Sequence, residues 1–245
     1  MTAAILALVL ALQAAAAQGE WEASGTKKGT TLAFRDNRLL DAREVRGTSE
    51  LPFAVDAIAL VVCDFRNYTK LLPDVREANL VDGTIPADYE VYLSYAPRFL
   101  VVAARDVVLR VRAEAGSAEH AGCSWSESEG RVAARKGTVR MPLLRGSWTI
   151  ERIGAQRSLV TYQVAARPGG RIPAWLVRRG AVGALPDVIS RLGDELRRIQ
   201  DRPAQSGAAR VLPRRTAARH RTNAFDVDGR LVDAGAADAG AGSRR

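Results

Sequence analysis

Residues Pro173–Gln200 read PAWLVRRGAVGALPDVISRLGDELRRIQ. Val182, Leu185, Ile189, Leu192, Leu196 and Ile199 recur there at steps of three and four and draw one continuous apolar stripe along a helix. Arg178, Arg179, Arg191, Arg197 and Arg198 fall largely off that stripe. Pro186 removes a backbone donor and collides with the preceding turn, so the spacing predicts a helix kinked or divided near Ala184.

Upstream of it the chain reads as short strands bounded by Gly, Pro and polar turns. They are Thr30 to Arg35, Asp41 to Arg46, Asp88 to Tyr95, Asp106 to Arg112, Gly122 to Ser126, Gly137 to Met141, Ser147 to Ile153 and Ser158 to Ala165. A further helix is expected over Pro52 to Val62, with Pro in its first turn and Phe53, Ala57, Leu60 and Val61 at helical spacing. Many strands in succession imply an antiparallel sheet. One long amphipathic helix after them makes an α+β architecture in which the sheet wraps the helix.

Composition bounds the function. The chain has 245 residues with two Cys and two His; a zinc site held by about four Cys/His ligands would need every one of them, and two Cys cannot make a disulfide-dense scaffold, so both readings are poor. No G-x-S-x-G, H-E-x-x-H, G-x-x-x-x-G-K-[ST] or G-x-G-x-x-G occurs. His120 sits in the small-residue turn Gly116 to Gly122, where exposure is expected. The net charge of +9 attracts phosphate or acidic lipid, but the basic residues do not interleave with aromatics as an RNA-binding motif requires, so no nucleic-acid partner is expected.

Both ends differ from the middle. Ala3 to Leu12 is an uninterrupted apolar run followed by Ala14 to Ala17, too short to span a bilayer and ending in the small residues a signal peptidase needs. The expectation is a Sec-type signal peptide over residues 1–17, cleaved after Ala17, and a periplasmic or secreted protein, although the run is preceded by no Lys or Arg. No Cys follows the run, which excludes a lipoprotein anchor at this point. A domain over 18–202 and a disordered basic Ala/Gly/Arg-rich tail over 203–245 are expected, since the tail's composition offers little to bury. Asp226, Asp228 and Gly229 fail the calcium-loop spacing, which would put Ala224 and Gly235 where carboxylates are required.

Several ordered segments then carry a family resemblance. Lys28-Gly29 leads into a strand ending Phe34-Arg35. Cys63-Asp64-Phe65-Arg66-Asn67-Tyr68 precedes Leu71-Leu72-Pro73-Asp74-Val75, and Ala104-Arg105-Asp106-Val107-Val108 enters a central strand. Gly137-Thr138-Val139-Arg140-Met141 precedes Gly146-Ser147-Trp148, and Pro168-Gly169-Gly170-Arg171-Ile172-Pro173-Ala174-Trp175 leads into the last helix. In this order, over about residues 20 to 200, the chain resembles the START (StAR-related lipid-transfer) domains, including their bacterial members. It departs from their pattern at Leu72, in place of the usual Trp, at Ala104 in place of Pro, and at Arg167 in place of Asp.

The resemblance implies a helix-grip fold: a curved antiparallel sheet closed around the last helix, with an interior hydrophobic cavity that takes one lipid without catalysis or cofactor. Some animal members carry a buried cation where this chain has Val111, so a more apolar cavity is expected. Strand parity selects Val107, Leu109 and Val111 as lining residues, and the helical stripe selects Val182, Leu185 and Ile189; all are also read as plain core. Tyr92, Trp125 and Trp148 either turn a polar tip to a headgroup or cap the core.

Arg105 and Asp106 are read as a structural ion pair. The segment Ala96 to Val102 is unusually apolar for a loop, and Arg98, Phe99 and Leu100 are candidates for transient membrane contact, a buried connector being the alternative. Cys63 and Cys123 are read as two buried thiols, with a disulfide left open for want of distances. The functional expectation is a monomer that carries or senses one sterol, terpenoid, phospholipid or fatty acid. The alternatives are a helix-grip cyclase or hydrolase, or a basic interaction module.

Overall fold

The computed structural model describes residues 19–97, 103–114, 116–129, 132–172 and 174–201, the last with side chains from Gly183 onward, and the backbone of 224–225 and 231–232. In chain order the elements are β1 (Glu22–Lys27), β2 (Thr30–Asn37), β3 (Ala42–Leu51), α1 (Val55–Val62), a 3-10 turn (Phe65–Asn67) and α2 (Tyr68–Leu71). There follow β4 (Val75–Thr84), β5 (Asp88–Tyr95), β6 (Ala104–Ala113), β7 (His120–Glu127), β8 (Thr138–Arg140), β9 (Leu143–Gly154), β10 (Arg157–Arg167) and α3 (Ala174–Gln200). The chain divides into two units, Met1–Pro203 and Ala204–Arg245. Within the second, β11 (Ala224–Phe225) pairs antiparallel with β12 (Leu231–Val232).

Nine strands form one antiparallel sheet in the order β1-β2-β3-β10-β9-β7-β6-β5-β4, and β8 adds to β6 in parallel. This is the expected α+β helix-grip arrangement. All eight expected strands are present, but Gly137 to Met141 contracts to the three residues of β8, which takes up pairing with β6 where β7 does not reach. The strand expected from Asp41 starts at Ala42 because Asp41 sits at φ 47° and closes the β2–β3 turn. Two strands have no clear sequence signal. All of β1 is exposed, so no apolar face marks it. The register of β4 against β5 shifts between Val75 and Glu77 and again between Leu80 and Asp82, which breaks the two-residue period.

The first helix begins at Val55 rather than Pro52, since Ala54 is still extended. The last runs from Ala174 to Gln200 with Pro186 inside it, undivided. Leu185, Val188, Ile189, Leu192 and Leu196 are buried, while Ile199 is 45% exposed and lies beyond the packed stripe. Gly47 on β3 explains how closely α3 approaches the sheet. A Cβ there would lie 3.0 Å from Thr30 Cγ2, 3.2 Å from Leu185 Cδ2 and 3.4 Å from Ile189 Cδ1.

The reading of Cys63 and Cys123 as free thiols is corrected: they form a disulfide. Cys63 ends α1 and Cys123 faces inward from β7, which brings their Cα atoms to 5.8 Å, inside the range a disulfide spans. The bond closes a sequence separation of 60 residues, a loop whose closure contributes about 4 kcal/mol in the chain-entropy view.

Candidate functional site

Alternation along the strands divides the sheet into two chemically distinct faces. The inner one takes Tyr89, Val91 and Leu93 from β5, Val107, Leu109 and Val111 from β6, Cys123 and Trp125 from β7, Trp148 and Ile150 from β9, and Val160 and Tyr162 from β10. All are buried in one cluster with Leu185, Val188, Ile189, Leu192 and Leu196 of α3. The structure therefore brings together seven of the expected lining residues: Val107, Leu109, Val111, Trp125, Trp148, Leu185 and Ile189. The side chain of Val182 and all of Arg98, Phe99 and Leu100 lie outside the described residues, as does the expected signal peptide.

Aromatic rings form one wall of this interior. Trp148 stacks on Tyr162 with centroids 4.2 Å apart, Trp125 stacks on the same tyrosine at 5.8 Å, and Phe65 meets Trp125 edge-on at 5.3 Å. Phe65 also stacks on Tyr68 at 3.9 Å. The polar tip of Trp148 is occupied within the protein: its Nε1 donates to the Tyr68 hydroxyl at 2.7 Å, and that hydroxyl donates to Val62 O at 3.2 Å. Tyr89 donates to Cys63 O at 2.7 Å and accepts from Phe65 N at 3.0 Å. Burial pushes the pKa values of Tyr68 and Tyr89 upward, so both remain neutral phenols.

Where α3 meets the sheet edge, a cleft of about 580 Å³ opens over Leu51, Leu159 and Ile189, with Lys28 and Arg197 also lining it. Lys28 Nζ reaches Asp187 Oδ1 at 2.8 Å and fastens the β1–β2 turn to the helix.

Tyr92 belongs to the other face, which corrects its assignment as an interior ligand residue. Its hydroxyl donates to Asp106 Oδ2 at 3.1 Å, and its pKa is pushed up to about 12 by burial, with Asp106 adding to the effect. Asp106 is fully buried and is held by Arg140, with Nε 2.7 Å from Oδ1 and Nη2 3.3 Å from Oδ2. The expected Arg105–Asp106 pair is thus replaced by Asp106–Arg140. Adjacent residues on a strand point to opposite faces, whereas Asp106 and Arg140 are register partners on β6 and β8. Arg105 instead donates to the carbonyls of Pro168 at 3.2 Å, of Gly169 at 3.3 Å and of Ala103, and so holds the lead into α3. Burial lowers its pKa.

Among the described residues no cluster of three His, Cys, Asp or Glu has a metal-binding arrangement. His120 opens β7 with a side chain 42% exposed and Nε2 4.0 Å from Glu114. It is remote in role from the buried interior.

A sheet wrapped on a C-terminal helix with this interior has clear relatives, and the START domain model matches residues 7–201. The chain belongs to the START domain family. A solved STAR-related lipid transfer protein from Xanthomonas axonopodis is 29% identical and superposes with a TM-score of 0.64, covering 72% of this chain and 98% of that one. Human StAR-related lipid transfer protein 5 shares the fold at 13% identity, with a TM-score of 0.68 over 82% of this chain and 97% of that one. An uncharacterized Pseudomonas aeruginosa protein is 35% identical over 83 residues, 34% of this chain and 41% of that protein. The chain thus matches about two-fifths of that curated relative's length.

For a START domain, the position of Val111 is informative. It is fully buried on the inner face between Leu109 and Ala113, so this point of the interior is apolar. Sequence reading missed Phe65, Tyr68, Tyr95 and Tyr162 as interior residues. Strand parity carries the signal for two of them: Tyr95 lies two residues beyond Leu93, and Tyr162 lies between Val160 and Val164 at the same spacing.

Proposed function

We propose that this START domain binds a single lipid between the inner face of its sheet and α3, and moves it between membranes or reports its presence, without catalysis. The observation that carries the reading is the buried apolar surface of Val107, Leu109, Val111, Trp125, Leu185 and Ile189 facing one interior. Removing hydrocarbon from water contributes about 0.8 kcal/mol per methylene, so a sixteen-carbon chain gains on the order of 10 kcal/mol before ordering costs. The Xanthomonas relative, named as a lipid transfer protein, supports the same reading.

The ligand loads through transient contact with a bilayer made by residues 98–102. The support is the sequence order: this apolar segment lies between β5 and β6 in the chain, shortly before Arg105, which holds the approach to α3. Arg98 meets anionic headgroups there, with Phe99 and Leu100 against the acyl region. Export to the periplasm or beyond completes the proposal. The Cys63–Cys123 bond supports it, because disulfides persist in oxidising compartments.

The test is transfer of a fluorescent lipid from donor to acceptor vesicles by the full chain. Transfer should rise in proportion to protein concentration and fall when Phe99 and Leu100 are both changed to Ser. A chain that neither binds nor moves any of a panel of sterol, terpenoid, phospholipid and acyl probes would contradict it.

A further inference from the structure

Two polar groups on the inner face have no hydrogen-bond partner among the described residues. Tyr162 lies in the buried cluster and Tyr95 packs against it. Tyr68, Tyr89 and Tyr92 each donate their hydroxyl to a named oxygen. The hydroxyls of Tyr95 and Tyr162 have no hydrogen-bond partner among the described residues, and no hydrogen bond contributes to either one's ionisation. Neither hydroxyl is among the fully enclosed unpaired polar atoms of the interior. Buried polar groups in folded proteins are nearly always paired, and those left open call for a partner.

The two phenols act together. Tyr95 packs against the buried cluster that holds Tyr162, and Tyr162 contributes to the upward shift of the Tyr95 hydroxyl. Burial pushes both pKa values far upward, which keeps them as neutral hydroxyls that both donate and accept. Charged groups near this interior are already engaged in hydrogen bonds. The guanidinium of Arg105 is directed at three carbonyls. Burial pushes Glu127 upward, but the hydrogen bonds and charge of Arg145 outweigh it and hold the carboxyl below its ordinary value. An incoming carboxylate or phosphate would lose its water to meet two neutral phenols, the guanidinium of Arg105 being already held by carbonyls.

We infer that Tyr95 and Tyr162 form the polar end of the ligand site and select an uncharged lipid that carries a hydroxyl or carbonyl group, in preference to an anionic fatty acid or phospholipid. The hydrocarbon lies along the Trp125–Trp148 wall, and its single polar group closes the two open hydrogen bonds. This deepens the lipid-binding reading and rests on it.

The experiment is a titration of the full chain, followed by tryptophan fluorescence, with cetyl alcohol, cholesterol and palmitate at about pH 8, where palmitate is ionised. At least one alcohol should bind ten-fold or more tightly than palmitate. Tyr95→Phe and Tyr162→Phe should each weaken that alcohol about five- to ten-fold, as expected for loss of one buried hydrogen bond, and leave palmitate unchanged. Both variants keep the ring, and their thermal midpoints should equal or exceed the parent's because no protein hydrogen bond is lost. Palmitate binding as tightly as the better alcohol, or Phe variants that hold it undiminished, would overturn the assignment while leaving lipid binding intact. If none of the three binds, the lipid reading falls with it.

Discussion

The same two strands, β5 and β6, carry opposite chemistry on their two faces. Outward, polar side chains engage one another: Tyr92 and Arg140 meet Asp106, Arg135 lies 4.4 Å over the Tyr92 ring and 2.8 Å from Glu77, and Ser128 donates to Glu90 at 2.7 Å. Inward, Tyr89, Val91, Leu93, Val107, Leu109 and Val111 form a continuous apolar surface, with the Tyr95 hydroxyl open at its end. The outer network fastens β8 and the segment before it onto the sheet and contributes stability. The inner face leaves hydrogen-bonding capacity unfilled, as expected where a ligand completes the structure.

The largest expected effect is alkaline unfolding, and it separates the faces by depth. Burial raises the pKa values of the inner phenols Tyr68, Tyr89, Tyr95 and Tyr162. Above about pH 10 the unfolded chain releases these protons and the folded chain does not, so stability is intact below that pH and falls steadily as pH rises beyond it. Phenolate absorbance from the inner tyrosines should therefore appear together with loss of circular dichroism. Their titration in a still-folded protein would show that the inner face is open to water.

Next in size is the covalent tie at the base of the interior. Replacing Cys63 and Cys123 by Ala should lower stability by about 4 kcal/mol in denaturant unfolding. An unchanged midpoint would mean that the packing of α1 alone holds that end. Asp106→Ala should cost about 3 kcal/mol, because it strands Arg140 and the Tyr92 hydroxyl. Ligand affinity of the folded variant should be unaffected, and a large loss of affinity would show that the two faces are coupled. The smallest effect is the most discriminating: Tyr92→Phe should cost about 1 kcal/mol, whereas Tyr162→Phe should cost none.

Sequence reading reached the inner face better than the outer. Asp88–Tyr95 is legible to the residue because it is rich in aromatic and β-branched residues and bounded by turns, and the parity of Val107, Leu109 and Val111 follows from β6 alone. The stripe from Leu185 to Leu196 needs nothing beyond helical spacing. The outer network depends on long-range pairing. Arg140 reaches Asp106 across 34 residues through a three-residue parallel strand, and nothing local announces it, while the adjacent Arg105 is a decoy that strand alternation already disfavours. The bulges of β4 hide its period, and the disulfide is a matter of distance. Tyr95 and Tyr162 were within reach of parity. Their lack of a partner among the described residues was not, since a missing hydrogen bond shows only in three dimensions.

The central claim is that the interior between sheet and α3 holds one lipid, and its most direct test is native mass spectrometry of the full chain purified from its own host, followed by organic extraction. The account predicts a single bound species at one-to-one stoichiometry, uncharged and carrying a hydroxyl or carbonyl. A protein that is empty, and that shields none of the sterol or acyl probes from water, would contradict it.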